Sequence, residues 1–282
     1  MSKYELLTHV EHILKRPDTY CGSLIPESSS YWIRDGNHFV ISQLSIAPAL
    51  VKIFDEVLVN AIDAHSTHPK KVSKIEVTVS NDGSILIENS GVSIPIKKHE
   101  TEKNADGTAI WIPEMILGKL LTSSNFDDNE QRVTGGRNGY GAKLANIFSK
   151  KFWVVISDGK KVYRQTWHDN MSRHDLPIIE TKVEPVGVLV GFVPDWKRFG
   201  GPGDFEKLAE KRTWDTAMWC SKCKVSFNSK LLEVKNLQEY AQMHFGDAPI
   251  AKMHTENFDI VVGHSKSGGF QQCSWVNGIA TT

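Results

Sequence analysis

Residues 50–65 read LVKIFDEVLVNAIDAH. Apolar side chains fall at positions 50, 53, 54, 57, 58, 61 and 62, the recurrence of a helix laid on a core. At about 100° per residue, Glu56, Asn60 and Asp63 share a narrow arc opposite much of that apolar face. A carboxylate and a carboxamide are thereby stacked a turn apart. The carboxylate suits taking a proton from water, and the amide oxygen suits a hard cation such as Mg²⁺ beside phosphates. A solvated polar stripe would read the same way from this helix alone, so its neighbours have to arbitrate.

Downstream, Ile75, Val77 and Val79 alternate, Asn81-Asp82-Gly83 supplies turn chemistry, and Ile85 and Ile87 alternate again, which predicts a β-hairpin. It runs into Asn89-Ser90-Gly91, where Asn89 offers both a donor and an acceptor to a base edge, or simply makes a turn. Farther on, Gly135-Gly136-Arg137-Asn138-Gly139-Tyr140-Gly141-Ala142-Lys143 is dense in glycine and leads directly into the helical AKLANIFS. Glycines let successive N–H groups converge, a helix start adds positive potential, and Lys143 adds a cation, together a phosphate cradle. It is not a P-loop, because Ala142 separates Gly141 from Lys143 and Leu144 stands at the Ser/Thr position. Nor is it a dinucleotide fingerprint, since no strand leads into it. A Glu/Asn helix, a strand-end Asn with glycine and a distant glycine-rich loop form, in that order, the signature of a Bergerat-type ATP site.

The remaining sequence is consistent with an ordinary globular chain of one large or two moderate domains. It has 282 residues, 40% of them hydrophobic and 23% charged, which argues against disorder, collagen or a coiled coil. The 33 Lys+Arg balance the 33 Asp+Glu, so no global positive field advertises nucleic acid or an anionic membrane. No apolar run is long enough for a bilayer. Cys220-Ser-Lys-Cys223 has no second ligand pair and reads as two reduced thiols near a helix end. Residues 97–107 read as a charged loop and 112–121 as a short helix opened by Pro113. FWVVISDGKKVYRQTW reads as a hairpin, VGVLVGFVP as a strand, FEKLAEKRTWDTAMW as a helix, and KVSFNSKLLEV as a hairpin tipped by Asn228-Ser229. A weak boundary near residue 240 precedes further strands.

The strings FDEVLVNAID, NSGVSIPI, LLTSSNFDD, GGRNGYGAKLANIFS, RQTWHDNM and GFQQCSWVNGIATT resemble the N-terminal ATPase region of eukaryotic and large-DNA-virus type IIA DNA topoisomerases. EHILKRPDTYCGS fits as well, so the resemblance spans nearly the whole chain. The helix and the Asn89 turn alone would equally suit chaperone, mismatch-repair and histidine-kinase relatives; GGRNGYGAKL with TSSN before it is what singles out the topoisomerases. The resemblance implies an α/β fold, a mixed and largely antiparallel sheet covered on one face by helices, with ATP held between helix and lid. It implies that Glu56 is the general base and that Asn60 holds Mg²⁺, with Asp63 on the same helix in the nucleotide site. Asn89 stands where many relatives carry an adenine-reading aspartate, and Ser123, Ser124 and Asn125 should contact ribose and phosphate. Gly136, Arg137, Asn138, Gly139, Tyr140, Gly141, Ala142 and Lys143 should wrap the triphosphate.

Ala64, Thr67 and Ser93 depart from residues usual in the family, the last replacing a glycine in the adenine-site turn. Residues 1–240 are expected to form the ATPase domain and 241–282 to begin a transducer domain. On this reading the chain stops before the transducer lysine, the cleavage carboxylates and the tyrosine. The family implies a homodimer acting on duplex DNA, with little DNA affinity in this chain alone. It places a cellular member in the nucleus and a viral one in host cytoplasm or virion. The alternatives are an ATP-dependent dimerisation clamp and a chaperone- or repair-like ATPase.

Overall fold

The computed structural model of the chain describes residues 6–120, 140–265 and 268–281. Helix α1 (His9–Lys15) opens on a capping box, the Thr8 hydroxyl accepting from the Glu11 amide while the Glu11 carboxylate accepts from the Thr8 amide. A ribbon of β1 (Glu27–Asp35) and β2 (His38–Ile46) leads into α2 (Pro48–Thr67), whose Pro48 occupies the first turn. Then come β3 (Lys74–Val79), β4 (Ile85–Ser90), β5 (Lys98–Lys103), β6 (Ala109–Trp111) and α3 (Ile112–Gly118). After α4 (Gly141–Ile147) follow β7 (Ser149–Ser157), β8 (Lys161–His168), β9 (Arg173–His174), β10 (Ile178–Thr181) and β11 (Gly187–Pro194). The chain continues through α5 (Phe205–Trp219), β12 (Lys224–Phe227), β13 (Lys230–Leu231) and α6 (Leu237–Phe245). Two ribbons close it, β14 (Ile250–His254) with β15 (Asp259–Gly263), and β16 (Ser274–Val276) with β17 (Ile279–Thr281).

The central sheet runs β10-β8-β7-β11-β4-β3-β12-β13, with β9 beside β8. Every pair in it is antiparallel except β3 with β12. The expected mixed, largely antiparallel sheet is therefore present. Alternate residues of its strands, among them Ile75, Val77, Ile85, Ile87, Phe152, Val154 and Tyr163, are buried against α2, α4 and α5. The opposite residues, such as Leu86, Trp153 and Val155, are only half-buried, so helices cover one face. No helix of the described residues is long and apolar enough to cross a membrane.

Residues 97–107, read as a loop, instead contain β5, which pairs with β6. Its side chains are nearly all polar and mostly exposed, so the alternation that marks a strand is missing, and the backbone ladder makes the ribbon. Lys98 adds a contact over the Trp111 ring at 5.8 Å. The division expected after residue 240 falls inside α6, where Tyr240 is fully buried. Cys220 caps α5 and both it and Cys223 are free thiols, as read. Asn228 and Ser229 both take positive φ at the β12–β13 tip, the geometry of a tight hairpin turn.

Gly91 follows the end of β4 with φ +83°, and a β-carbon there would lie 1.9 Å from the Lys71 carbonyl oxygen. Its amide donates to the Val186 carbonyl at 2.7 Å, so this glycine fastens the strand end that carries Asn89. Gly91→Ala should combine left-handed strain with a backbone clash and cost about 2 kcal/mol or more. That corresponds to a fall in melting temperature of about 4–8 °C, measurable by calorimetry; an unchanged melting temperature would show that the turn relaxes freely.

Candidate active site

Helix α2 is buried along most of its circumference, through Leu50, Ile53, Phe54, Val57, Leu58, Ala61 and Ile62. This seating leaves Lys52, Glu56, Asn60 and Asp63 on the remaining arc, with Asn60 exposed and Glu56 and Asp63 half-buried. Lys52 was not singled out in the sequence, yet its ammonium pairs with Glu56 Oε1. The signal was there: a basic residue four before an acidic one on a helix is a standard ion-pair spacing. Across from it, Gly141 begins α4, and a β-carbon there would come within 2.8 Å of Glu56 Oε2. The glycine-rich segment therefore ends with its backbone against the candidate base, and only the missing side chain makes room.

Asn89 occupies β4 opposite Ile75 and Val188 and is buried, its amide donating weakly to the Ser90 carbonyl at 3.5 Å. Ser93 folds its hydroxyl onto the Ile94 carbonyl at 3.1 Å and does not take a positive φ, so serine fits where the family pattern has glycine. Ala64 packs partly against the core, and Thr67 is the exposed last residue of α2. Tyr140 precedes α4 and meets Tyr20 edge-on at 5.8 Å. Ala142 and Lys143 are buried in α4. Ser123, Ser124, Asn125, Gly136, Arg137, Asn138 and Gly139 lie outside the described residues. Glu56, Asn60 and Asp63 thus sit on α2 and Gly141, Ala142 and Lys143 on α4 packed against it, with Tyr140 just before α4 and Asn89 on the strand below α2.

A carboxylate on α2 thus faces the backbone start of α4, with an amide one turn farther along α2, groups whose chemistry suits activating water beside an anion. Among the described residues no group of three or more His, Cys, Asp or Glu could hold a metal unaided. A hard cation held by the Asn60 amide oxygen would need further oxygens, such as phosphates supply.

Burial lowers the Lys143 ammonium from 10.5 to about 8. Its folded-state pKa being depressed, the unfolded chain binds more protons between pH 8 and about 10, and stability from this group rises with pH across that window. Urea unfolding at pH 7.5, 8.5 and 9.5 should show a rise in the parent that is smaller in Lys143→Met; parallel profiles would mean that the buried ammonium keeps its ordinary affinity for protons.

Residues 46–168 match the family of histidine kinase-, DNA gyrase B- and HSP90-like ATPases. The ATPase region of Saccharomyces cerevisiae topoisomerase II, solved bound to ICRF-187 (dexrazoxane), superposes with a TM-score of 0.92 at 38% identity, over 99% of this chain and 76% of that one. The ATPase and transducer domains of DNA topoisomerase II from Balamuthia mandrillaris give 0.90 at 38% identity, over 98% and 72%. Among curated sequences, DNA topoisomerase 2 of Penicillium chrysogenum and DNA topoisomerase 2-beta of Gallus gallus are each 38% identical over 99% of this chain. The chain spans 18% of the length of each. With fold, Glu56–Asn60 helix and glycine-entered α4 all in place, this chain belongs to the ATP-binding ATPase region of the type II DNA topoisomerases.

Proposed function

We propose that this chain binds Mg·ATP and hydrolyses it with Glu56 as general base, as the nucleotide-driven gate of an enzyme that passes one DNA duplex through a transient break in another. The observation that carries the reading is the approach of Gly141 to Glu56 Oε2, which sets the base against the last glycine of the segment expected to wrap the triphosphate. Glu56 takes the proton of the attacking water, and Lys52, already on its other oxygen, holds the carboxylate in one orientation. Asn60 would hold Mg²⁺ through its amide oxygen, and Asp63 lines the same arc. The ion, when bound, neutralises charge on the phosphates. Asn89 offers a buried amide to the base edge of the nucleotide. Tyr140, Gly141, Ala142 and Lys143 close over the phosphates together with Gly136 to Gly139, while Ser123, Ser124 and Asn125 contact ribose and phosphate.

In this reading residues 1–240 form the ATPase domain and residues 241–282 begin the transducer. DNA and the second subunit are engaged by the whole enzyme. With a formal net charge of +0, this chain by itself lacks the excess of cations on which DNA binding rests. A cellular form would act in the nucleus, a viral one in host cytoplasm or virion.

Glu56→Gln removes the proton acceptor and keeps the shape. It should bind Mg·ATP within about threefold of the parent, by titration calorimetry, while phosphate release falls about 100- to 10,000-fold. Equal losses of binding and turnover would make Glu56 a structural or metal-holding residue.

A further inference from the structure

Behind the nucleotide site, α2 is held by a set of charges that the chemistry at Glu56 does not use, Lys211 and Asp215 being buried and Asp55 and Arg212 half-buried. Asp55 Oδ2 lies 3.3 Å from Arg212 Nη2, and Arg212 Nη1 lies 3.7 Å from Asp215 Oδ2, both partners being on α5. Asp215 Oδ1 receives Lys211 Nζ at 2.7 Å and the Tyr240 hydroxyl from α6. Burial pushes the Asp215 carboxyl up, but the Lys211 ammonium and Arg212 guanidinium outweigh it and hold it below the ordinary range. Among the described residues Arg212 Nε, buried, finds no acceptor, so the two carboxylates alone orient this guanidinium.

The ribbon β16–β17 closes over this set. Its Trp275 stands edge-on to Tyr240 at 5.5 Å, and Lys211 Nζ lies 5.8 Å from the Trp275 ring centre. A small cavity between ribbon and helices is lined by Asp55 and Ile62 of α2, Arg212 and Asp215 of α5, and Gly278 and Ile279 of the ribbon. Gly278 backs directly onto α2: a β-carbon there would lie 2.6 Å from Ile62 Cγ2. The ribbon thus touches both the helix and the charges that grip it.

Asp55 and Glu56 are consecutive, about 100° apart around α2. A helix is stiff across one residue, so whatever fixes the Asp55 face fixes the direction of Glu56. We propose that Arg212 is a positioning residue for Glu56, acting through Asp55, and that the ribbon Ser274–Thr281 sets that grip, so that displacement of the ribbon rolls α2 and takes Glu56 off the attacking water. The proposal rests on Glu56 being the base. It gives the segment that follows the ATPase core a mechanical path to hydrolysis that does not pass through the nucleotide. Misplacement of a base by about 1 Å is enough to lose about 100-fold in rate.

The test compares Arg212→Gln, Arg212→Lys, Gly278→Ala and Glu56→Gln in the full chain, by calorimetric affinity for Mg·ADP and single-turnover hydrolysis of radiolabelled ATP. Arg212→Gln should lower the rate at least about tenfold with affinity within about threefold. Arg212→Lys, which keeps a cation between the carboxylates, should recover most of that loss. Gly278→Ala, which alters no charged group and wedges the ribbon from Ile62, should slow hydrolysis in the same sense. A parental rate in folded Arg212→Gln, or rate and affinity falling in proportion, overturns the positioning role. If Arg212→Gln does not fold, a parental rate in Gly278→Ala overturns it instead. Hydrolysis surviving in Glu56→Gln overturns the assignment of the base itself, and is read separately from the Arg212 series.

Discussion

The seating of α2 on the sheet governs everything else in this molecule. Its apolar side chains fill the space between β4, α4 and α5, and each large one buried contributes about 1.5–3 kcal/mol relative to exposure. The partly exposed ion pair of Lys52 with Glu56 contributes about 1 kcal/mol. Burial therefore decides which face of the helix turns inward, and the Asp55–Arg212 pair acts on the finer direction left to the polar arc. Turning α2 by one residue would drive Glu56 toward the core, where an unpaired carboxylate costs far more than the arc could return.

From that seating the chemistry follows in two directions. Forward, Glu56 faces the start of α4, where glycine lets the backbone approach the carboxylate. Backward, Asp55 meets Arg212 and, through it, Asp215 and Tyr240, so one helix connects the nucleotide side with α5 and α6. Such a buried set adds little net stability over an apolar packing of the same shape, because desolvation offsets most of the attraction. What it adds is a defined geometry, since removing Arg212 leaves Asp215 to Lys211 and takes from Asp55 the guanidinium that holds it.

Elements with strong local periodicity were legible in advance. The α2 pattern, the hairpin through Asn81-Asp82-Gly83 and the Asn228-Ser229 turn all read correctly, because each couples a repeat of side chains to a nearby turn signal. The β5–β6 ribbon was not, because its strand is polar on both faces and is held by main-chain pairing that leaves no mark on side-chain order. Lys52 was overlooked for a related reason: a lysine on a helix usually means only a solvated face, and its meaning came from the carboxylate it touches.

The sequence by itself determined the class of the fold, the ordered motifs of the nucleotide site and the side chains of α2 that share an arc, since helical period and glycine density are local properties. Only the tertiary structure decided that Gly141 meets Glu56 and that Arg212 and Asp215, some 160 residues beyond Asp55, close on the back of the same helix. It also decided that the Ser274–Thr281 ribbon covers them. Those contacts join residues far apart in the chain, and their partners are chosen by how the sheet and helices pack rather than by any pattern within either segment.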